Sequence, residues 1–272
     1  MSFRYITFLT DFGVQDDFVG VCRGVMRAIA PETTVIDITH GIPPQAVTQG
    51  AVVLERSIPY MPVSVHLAVV DPGVGSERRP VAVRTQSGRI FVGPDNGLLM
   101  RAADRDGVES ARALTNDRFF LDDVSRTFHA RDIFAPVAAH LAAGVPLEEV
   151  GDPVDGADLV RIDLPEPEVG VDKLVGHVLT VDRFGNLALN VRRDHLDELS
   201  LRAGDWVELQ LALDPYYAQV AETYADARPG ELILYEDSYG AIAIAVRDGN
   251  AARLTGGAPG ERVRIRVTAA PG

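Results

Sequence analysis

Cysteine is almost absent. Cys22 is the single one in 272 residues, which excludes an intrachain disulfide and any cysteine-based zinc cage. It falls in an apolar helical pattern and reads as a core residue. Long hydrophobic runs are lacking too. No window reaches the apolar length of a membrane span, so no membrane association is expected. The N-terminal stretch Phe3–Leu9 is charged and strand-like, without the basic region and small-residue cleavage site of a signal peptide. A cytoplasmic location is the expectation. Basic charge is also in deficit: 26 Lys and Arg against 39 Asp and Glu give a formal charge of −13. Non-specific nucleic-acid binding needs cations to neutralise phosphate, so no nucleic-acid partner is expected. What remains, 46% apolar and 24% charged residues, is ordinary globular composition over a length sufficient for two modest domains.

The first half alternates short apolar runs with helical patterns. Tyr5–Leu9 reads as a buried strand, Val35–Ile38 as a second and Val63–Val70 as a third, apolar enough to be central, with Pro80–Arg84 and Arg89–Val92 as further ones. Phe18, Val21, Cys22, Val25, Met26 and Ile29 trace one helical stripe, with Asp16 as the expected cap and Pro31 as the stop. A weaker helical pattern covers 46–58, and another covers 131–143, ended by Gly144. Strands alternating with helices predict an α/β domain with a largely parallel sheet covered on both faces. Between Gly151 and Asp172 the prolines 153, 165 and 167 interrupt an acidic stretch. The predicted division is an α/β domain over 1–160, a linker over 161–172, and a small antiparallel all-β barrel over 173–272.

Open parallel sheets bind ligands beyond the carboxyl ends of their strands. Asp11 follows the first strand and Asp71 the third, so both belong to one rim. Asp11 can accept hydrogen bonds from vicinal hydroxyls. Asp71 heads the loop Asp71-Pro72-Gly73-Val74-Gly75-Ser76-Glu77-Arg78-Arg79, whose glycines allow close backbone approach. One of its two arginines can fold back onto Asp71, and the other reads as a solvated charge. His129 immediately precedes a helix N-terminus, where ligand groups commonly sit. Gly93-Pro94-Asp95-Asn96-Gly97 reads equally as a ligand loop or as a turn with an N-cap. In the second half, Asp182-Arg183-Phe184-Gly185-Asn186 lies between two strands. Its Asn can present donor and acceptor together to a purine edge, and Phe184 and Tyr224 can stack on a base.

The motifs LTDFG, VVDPGVGSERRP, GPDNGLL, TFHARDIFAP, DRFGNLALN, DSYG and GNAA follow one another along nearly the whole chain. In this order they resemble the S-adenosylmethionine (SAM) hydroxide adenosyltransferase family, related to the fluorinase and chlorinase. The resemblance implies hydrolysis of SAM to adenosine and methionine, with SAM as substrate and no cofactor or metal. It implies a homotrimer with sites at subunit interfaces. It maps a catalytic trio onto Asp71, Arg78 and His129, the ribose carboxylate onto Asp11, methionine-end acids onto Asp16 and Asp182, and the purine-reading amide onto Asn186. Further substrate contacts are expected from Phe12, Val74, Asn96, Phe128, Phe184, Tyr224, Tyr239 and Asp248. The fluorinase has Tyr in place of Asp71 and a long insertion where 83–91 is short here, and both differences favour the hydrolase. Two departures stand out. Ala130 replaces a usual Gly, which would crowd the ligand, and Arg247 replaces a common Asn near the adenine.

The substrate's sulfonium makes methionine a good leaving group, so no general acid is required. An ordinary aspartate, with a pKa of about 4, cannot deprotonate water at about 15.7. The trio is therefore expected to orient water electrostatically. Three rivals remain at this stage: a halide-using relative, a non-catalytic nucleoside binder, and a metal hydrolase built on Asp11, Asp16, Asp71, His129 and Asp132.

Overall fold

The computed structural model describes residues 2–211 and 214–270; the extreme ends of the two expected domains, residues 1 and 271–272, lie outside that range. The chain divides into two compact units, Met1–Ile162 and Asp163–Gly272.

In the first unit the strands are β1 (Tyr5–Thr10), β2 (Thr34–Thr39), β3 (Val65–Val69), β4 (Pro80–Thr85), β5 (Ile90–Pro94), β6 (Val108–Ala113) and β7 (Pro153–Val154). They form one sheet in the order β2-β1-β3-β5-β4-β6-β7. The four strands β2, β1, β3 and β5 run parallel. β4, β6 and β7 extend the sheet antiparallel. The helices are α1 (Phe18–Ile29), α2 (Val47–Ser57), α3 (Met100–Asp106) and α4 (Ala135–Ala143).

Strand side chains alternate between two cores. Ile6, Phe8, Val65, Leu67, Val69, Ile90 and Val92 pack on one face with Cys22 and Met26 of α1 and Val137, Ala138 and Leu141 of α4. Ala68, Val70 and Phe91 pack on the other face with Leu54 of α2 and Ala102 of α3. Among the polar residues buried in this sandwich are Thr7 and His66, both fully buried. They satisfy each other, with Thr7 Oγ1 2.8 Å from His66 Nδ1, and the imidazole stacks on Phe91. Burial pushes its pKa down to about 3.

The second unit holds β8 (Glu168–Val169), β9 (Lys173–Val181), β10 (Leu187–Leu189), β11 (Trp206–Leu211), β12 (Asp214–Val220), β13 (Leu232–Glu236), β14 (Ile242–Val246) and β15 (Arg262–Thr268). The order β10-β14-β13-β12-β11-β15-β9 closes through a β9–β10 pairing into a seven-stranded barrel. β8, within the stretch read from sequence as linker, pairs with the edge of β9. Alternate residues such as Val207, Leu209, Leu211, Val263 and Ile265 fill the interior.

Several expectations are corrected. The barrel is antiparallel except at β12–β13, which is parallel. The barrel unit also carries two short helices, α5 (Arg193–Glu198) and α6 (Ala251–Thr255), where none was expected. At the start of α1 the N-cap is Asp17, not Asp16, and its side chain makes no capping bond. The helix expected from 131 opens as a π-helical turn, Ala130–Phe134, before α4 begins. Within that turn the Ala130 side chain is buried in the core it shares with α1 and α4.

β3 and β5 approach most closely at Gly93, where an added Cβ would lie 2.2 Å from the Ala68 carbonyl oxygen. Gly93→Ala is therefore expected to force the two strands apart and to destabilise the unit by about 1–3 kcal/mol. A urea midpoint equal to that of the parent protein would contradict this packing.

Candidate active site

The register places Thr10 of β1 against Val69 of β3, so Asp11 and Asp71 emerge side by side where two parallel neighbours end. Apolar strands carry the chain to this rim, and the polar residues begin where the strands stop.

Asp71 and Arg78 face each other across their loop, and both side chains are 7% exposed. Arg78 Nε donates to Asp71 Oδ1 at 3.0 Å, and Nη2 donates to Oδ2, a two-pronged pair that fixes the guanidinium plane. The hairpin that permits this fold-back is held by Val74 N–H to the Asp71 carbonyl and Ser76 Oγ–H to the Gly73 carbonyl. Gly75, at φ +78°, is pressed against a second loop; a Cβ there would meet the Arg126 carbonyl oxygen at 2.5 Å. That second loop delivers His129. Asp132 is fully buried and anchors the loop by accepting the Ser125 N–H at 2.8 Å, while Arg131 pairs with it.

Arg78 Nη2 also lies 3.2 Å from His129 Nδ1. A guanidinium only donates, so Nδ1 must be the acceptor. His129 is therefore the neutral tautomer with its proton on Nε2. Burial, and next the Arg78 charge, hold its pKa below the ordinary value. The guanidinium sits 5.2 Å from the Phe134 ring centroid, and its Nη1 is buried with no hydrogen-bond partner among the described residues.

Arg79 is not the solvated charge expected of it. It bonds the nearly buried carboxylate of Asp95 at 2.6 and 2.9 Å. Asn96 is likewise engaged: Nδ2 donates to the Val70 carbonyl and Oδ1 accepts the Leu98 N–H. Asn96 thus ties down the residue preceding Asp71. Asp11 accepts the Gln45 N–H at 2.8 Å. Phe12 and Phe128 meet edge to face with Phe18 as the third ring. Val74 is half-buried and Asp16 exposed. Behind Asp11 stands a group that the sequence reading missed. His40 Nδ1 is 2.9 Å from Thr10 Oγ1, which accepts the Phe12 N–H, and the His40 carbonyl accepts the Gly13 N–H. A histidine one residue past β2, at the same rim, was the available signal. Among the described residues no group of three or more His, Cys, Asp or Glu is arranged to hold a metal.

In the barrel unit, Asp182 accepts the Phe184 and Asn186 N–H groups on Oδ1 and the Asn186 amide on Oδ2. Asn186 Nδ2 also reaches the Tyr224 hydroxyl at 3.3 Å. Gly185, at φ +85°, lies directly under Asn250, and Ala252 N–H bonds its carbonyl. The DRFGN and GNAA loops are thereby joined. Arg247, the departure noted above, donates to the Ala225 and Ala227 carbonyls and pins the turn that bears Tyr224. Asp248 adopts φ +58° in the adjoining turn. Tyr239 sits on a separate turn closed on Asp237. Phe184 is exposed.

A buried ion pair thus meets a neutral imidazole at the strand ends of an α/β unit, the rim at which such sheets bind ligands. Residues 6–151 match the SAM hydroxide adenosyltransferase N-terminal domain and residues 176–264 the corresponding C-terminal domain. The chain belongs to that family. It is similar to a protein of Salinispora tropica named (R)-S-adenosyl-L-methionine hydrolase, 47% identical over 264 residues that cover 96% of this chain and 97% of the relative. A fluorinase of Nocardia brasiliensis is 31% identical, covering 88% and 89%. The crystal structure of an uncharacterized conserved protein from Thermotoga maritima superposes with a TM-score of 0.89 at 39% identity, covering 96% and 99%.

The tautomer argument has a direct check. An NMR titration of His129 is expected to give a midpoint below 6.5, and Arg78→Ala is expected to raise it, because the repelling cation is gone while Asp71 remains. A midpoint unmoved by that substitution would exclude the Arg78–His129 contact.

Proposed function

We propose that the protein hydrolyses SAM to adenosine and methionine, with water attacking the ribose 5′ carbon. The observation that carries this reading is the Asp71–Arg78–His129 cluster, in a chain of the SAM hydroxide adenosyltransferase family. Water forms the new C5′–O bond. The C–S electron pair leaves with methionine, neutralising the sulfonium, and the water proton passes to solvent.

Neither candidate base is suited to take that proton. A carboxylate is too weak, and the only basic nitrogen of His129 is occupied by Arg78. In this reading the trio acts by position and charge. Asp71 accepts a hydrogen bond from the attacking water and aims its free lone pair at the carbon, while the positive charge of Arg78 and the His129 Nε2–H favour the hydroxide-like form of the water as its proton leaves. Preorganised donors of this kind contribute roughly 3 kcal/mol each, and holding water near ~3 Å from the carbon contributes further. Asp11 takes the ribose hydroxyls on the carboxylate oxygen not bound by Gln45. Phe12, Val74 and Phe128 line the reacting end; Asp16 and Asp182 serve the methionine end; Phe184, Asn186, Tyr224, Tyr239 and Asp248 serve the base. Asn96 acts through Val70 rather than by contact. We place the enzyme in the cytoplasm as a homotrimer, in line with its family resemblance and lone cysteine. A trimer mass by light scattering is expected, and a monomer active at full rate would refute that assignment.

Turnover in 18O-labelled water is expected to place the label in the adenosine 5′ hydroxyl. Asp71→Asn should lower kcat by about two to three orders of magnitude while adenosine affinity stays within a few-fold. Parent-like turnover in that variant would sink the proposed role. Chloride-dependent formation of 5′-chloro-5′-deoxyadenosine would instead identify a halide adenosyltransferase, and tight adenosine binding without methionine release a non-catalytic binder. Protonation of His129 destroys the acceptor for Arg78 and adds a second cation. kcat/KM should therefore be full above the His129 midpoint and fall as pH drops through it, with the acid limb below pH 6.5.

A further inference from the structure

Asp71 and Arg78 sit on one loop, but the two stems of that loop are not neighbours in the sheet. The order β3-β5-β4 puts β5 between them. β5 runs parallel to β3 and antiparallel to β4, so the loop leaves the end of β3, crosses the end of β5 and enters β4 at the same rim. Asp95 and Asn96, the first two residues after β5, take hold of one stem each. On the β3 side Asn96 Nδ2 donates at 2.8 Å to the carbonyl of Val70, one residue before Asp71. On the β4 side the Asp95 N–H donates at 2.9 Å to the carbonyl of Arg79, one residue after Arg78, and Asp95 Oδ2 accepts both Nε and Nη2 of Arg79. The Asp95 side chain is 3% exposed. Its other oxygen accepts the Val160 N–H at 2.8 Å, and Arg79 Nη2 also donates to the Asp158 carbonyl. No bond in this set has an open direction, since guanidinium and peptide N–H groups only donate and carboxylate and carbonyl oxygens only accept.

Resting on the assignment of the Asp71–Arg78–His129 cluster to SAM hydrolysis, we infer that Asp95 is a positioning residue for that reaction, setting through Arg79 where Arg78 stands against His129. The ion pair fixes Arg78 relative to Asp71. It does not fix the pair relative to His129, which arrives on another loop. The tip of the Asp71–Arg78 loop meets that other loop at Gly75, and the stem that carries Arg78 is held at Asp95. A carboxylate at the end of β5 thus governs the geometry of the trio without touching any member of it.

Asp95→Asn tests this on the full chain. It keeps the side chain's size, an oxygen for Val160 and the backbone N–H, and it removes the charge that holds Arg79. kcat with SAM is expected to fall about ten- to a hundredfold, the scale of a small misplacement of reacting groups, with KM within about twofold. An NMR titration of His129 supplies a readout that mere support of the fold would not move. The charged groups acting on that imidazole are Arg78, Asp71 and Asp132. Loss of a further carboxylate, by charge alone, can only lower its midpoint. Displacement of Arg78 raises it, and a rise is expected. In an Arg78→Ala background the same substitution should give no rise, because the cation through which it acts is gone. Arg79→Lys keeps the charge and loses the fork, so it should raise the midpoint too and lower kcat less than Asp95→Asn. The Arg79 side chain is 41% exposed, and this variant decides the matter if Asp95→Asn fails to fold. A midpoint that falls or stays put, a rise that persists without Arg78, or a parent-like kcat would overturn the inference. The titration needs no turnover. A parent protein that releases no methionine from SAM would sink the hydrolysis reading, while the rise, seen or not seen, would still decide whether Asp95 sets Arg78 against His129.

Discussion

The buried guanidinium of Arg78 is the constraint around which the first unit's rim is arranged. A cation with 7% exposure depends on the hydrogen bonds its partners accept, and stripping one partner from such a pair typically costs about 3–5 kcal/mol. Asp71 meets two of those bonds, His129 a third, and the Phe134 ring covers one face. Each partner arrives by a different route: the end of an apolar strand, the loop after it, and a π-helical turn anchored by Asp132. The close contact at Gly75 between the two loops is what allows those routes to meet. Because the guanidinium cannot accept a hydrogen bond, its placement also dictates the protonation state of the imidazole.

The same logic operates in the barrel unit with the roles reversed. There the acceptor-only group is Asp182, and it dictates the orientation of a neutral amide. Both clusters obtain their directionality from a group with no ambiguity of its own, a guanidinium in one and a carboxylate in the other. The adaptable groups, His129 and Asn186, are set by them. Such sites need no strained backbone at the functional atoms. Around these two clusters the positive φ angles fall on neighbours, at Gly75 and Gly185.

Much of this arrangement was legible in the chain. Asp11 and Asp71 could be placed on one rim because apolar runs end abruptly before them and because parallel neighbours share a direction. The α1 stripe was readable because its period repeats over three turns, although Val19 is buried where Phe18 is exposed. Other parts left no periodic trace. β12, with Asp214-Pro215 at its start and two adjacent tyrosines, has no clean alternation, and α3 is too short for a period to register. The π-helical turn inserts a residue into an otherwise helical pattern, which spacing alone cannot distinguish from an ordinary first turn. The motif line marked Asn186 and Tyr224, but the engagement of the amide by both Asp182 and the Tyr224 hydroxyl depends on how the loop folds, which leaves no mark in spacing. Arg79 and Arg78 are identical in sequence terms. Only the position of the nearly buried Asp95 separates the structural arginine from the one at the site.

Asp71 also bears on why water, and not an anion, is the nucleophile in this reading. An unpaired buried guanidinium would be a strong anion trap. At an effective dielectric of about 20, two unit charges ~4 Å apart interact by about 4 kcal/mol. The Asp71 carboxylate lies against the guanidinium on two of its nitrogens, so an approaching halide meets attraction and repulsion of the same order and gains little. Water loses nothing by this cancellation. It can donate to the carboxylate while keeping a lone pair for the carbon, whereas a halide has no proton to donate. Replacing the carboxylate with a neutral side chain, such as the tyrosine at the corresponding place in the fluorinase, removes the repulsion and the proton acceptor together. In this reading the ion pair that makes Arg78 tolerable in the fold also balances the site in favour of a neutral nucleophile.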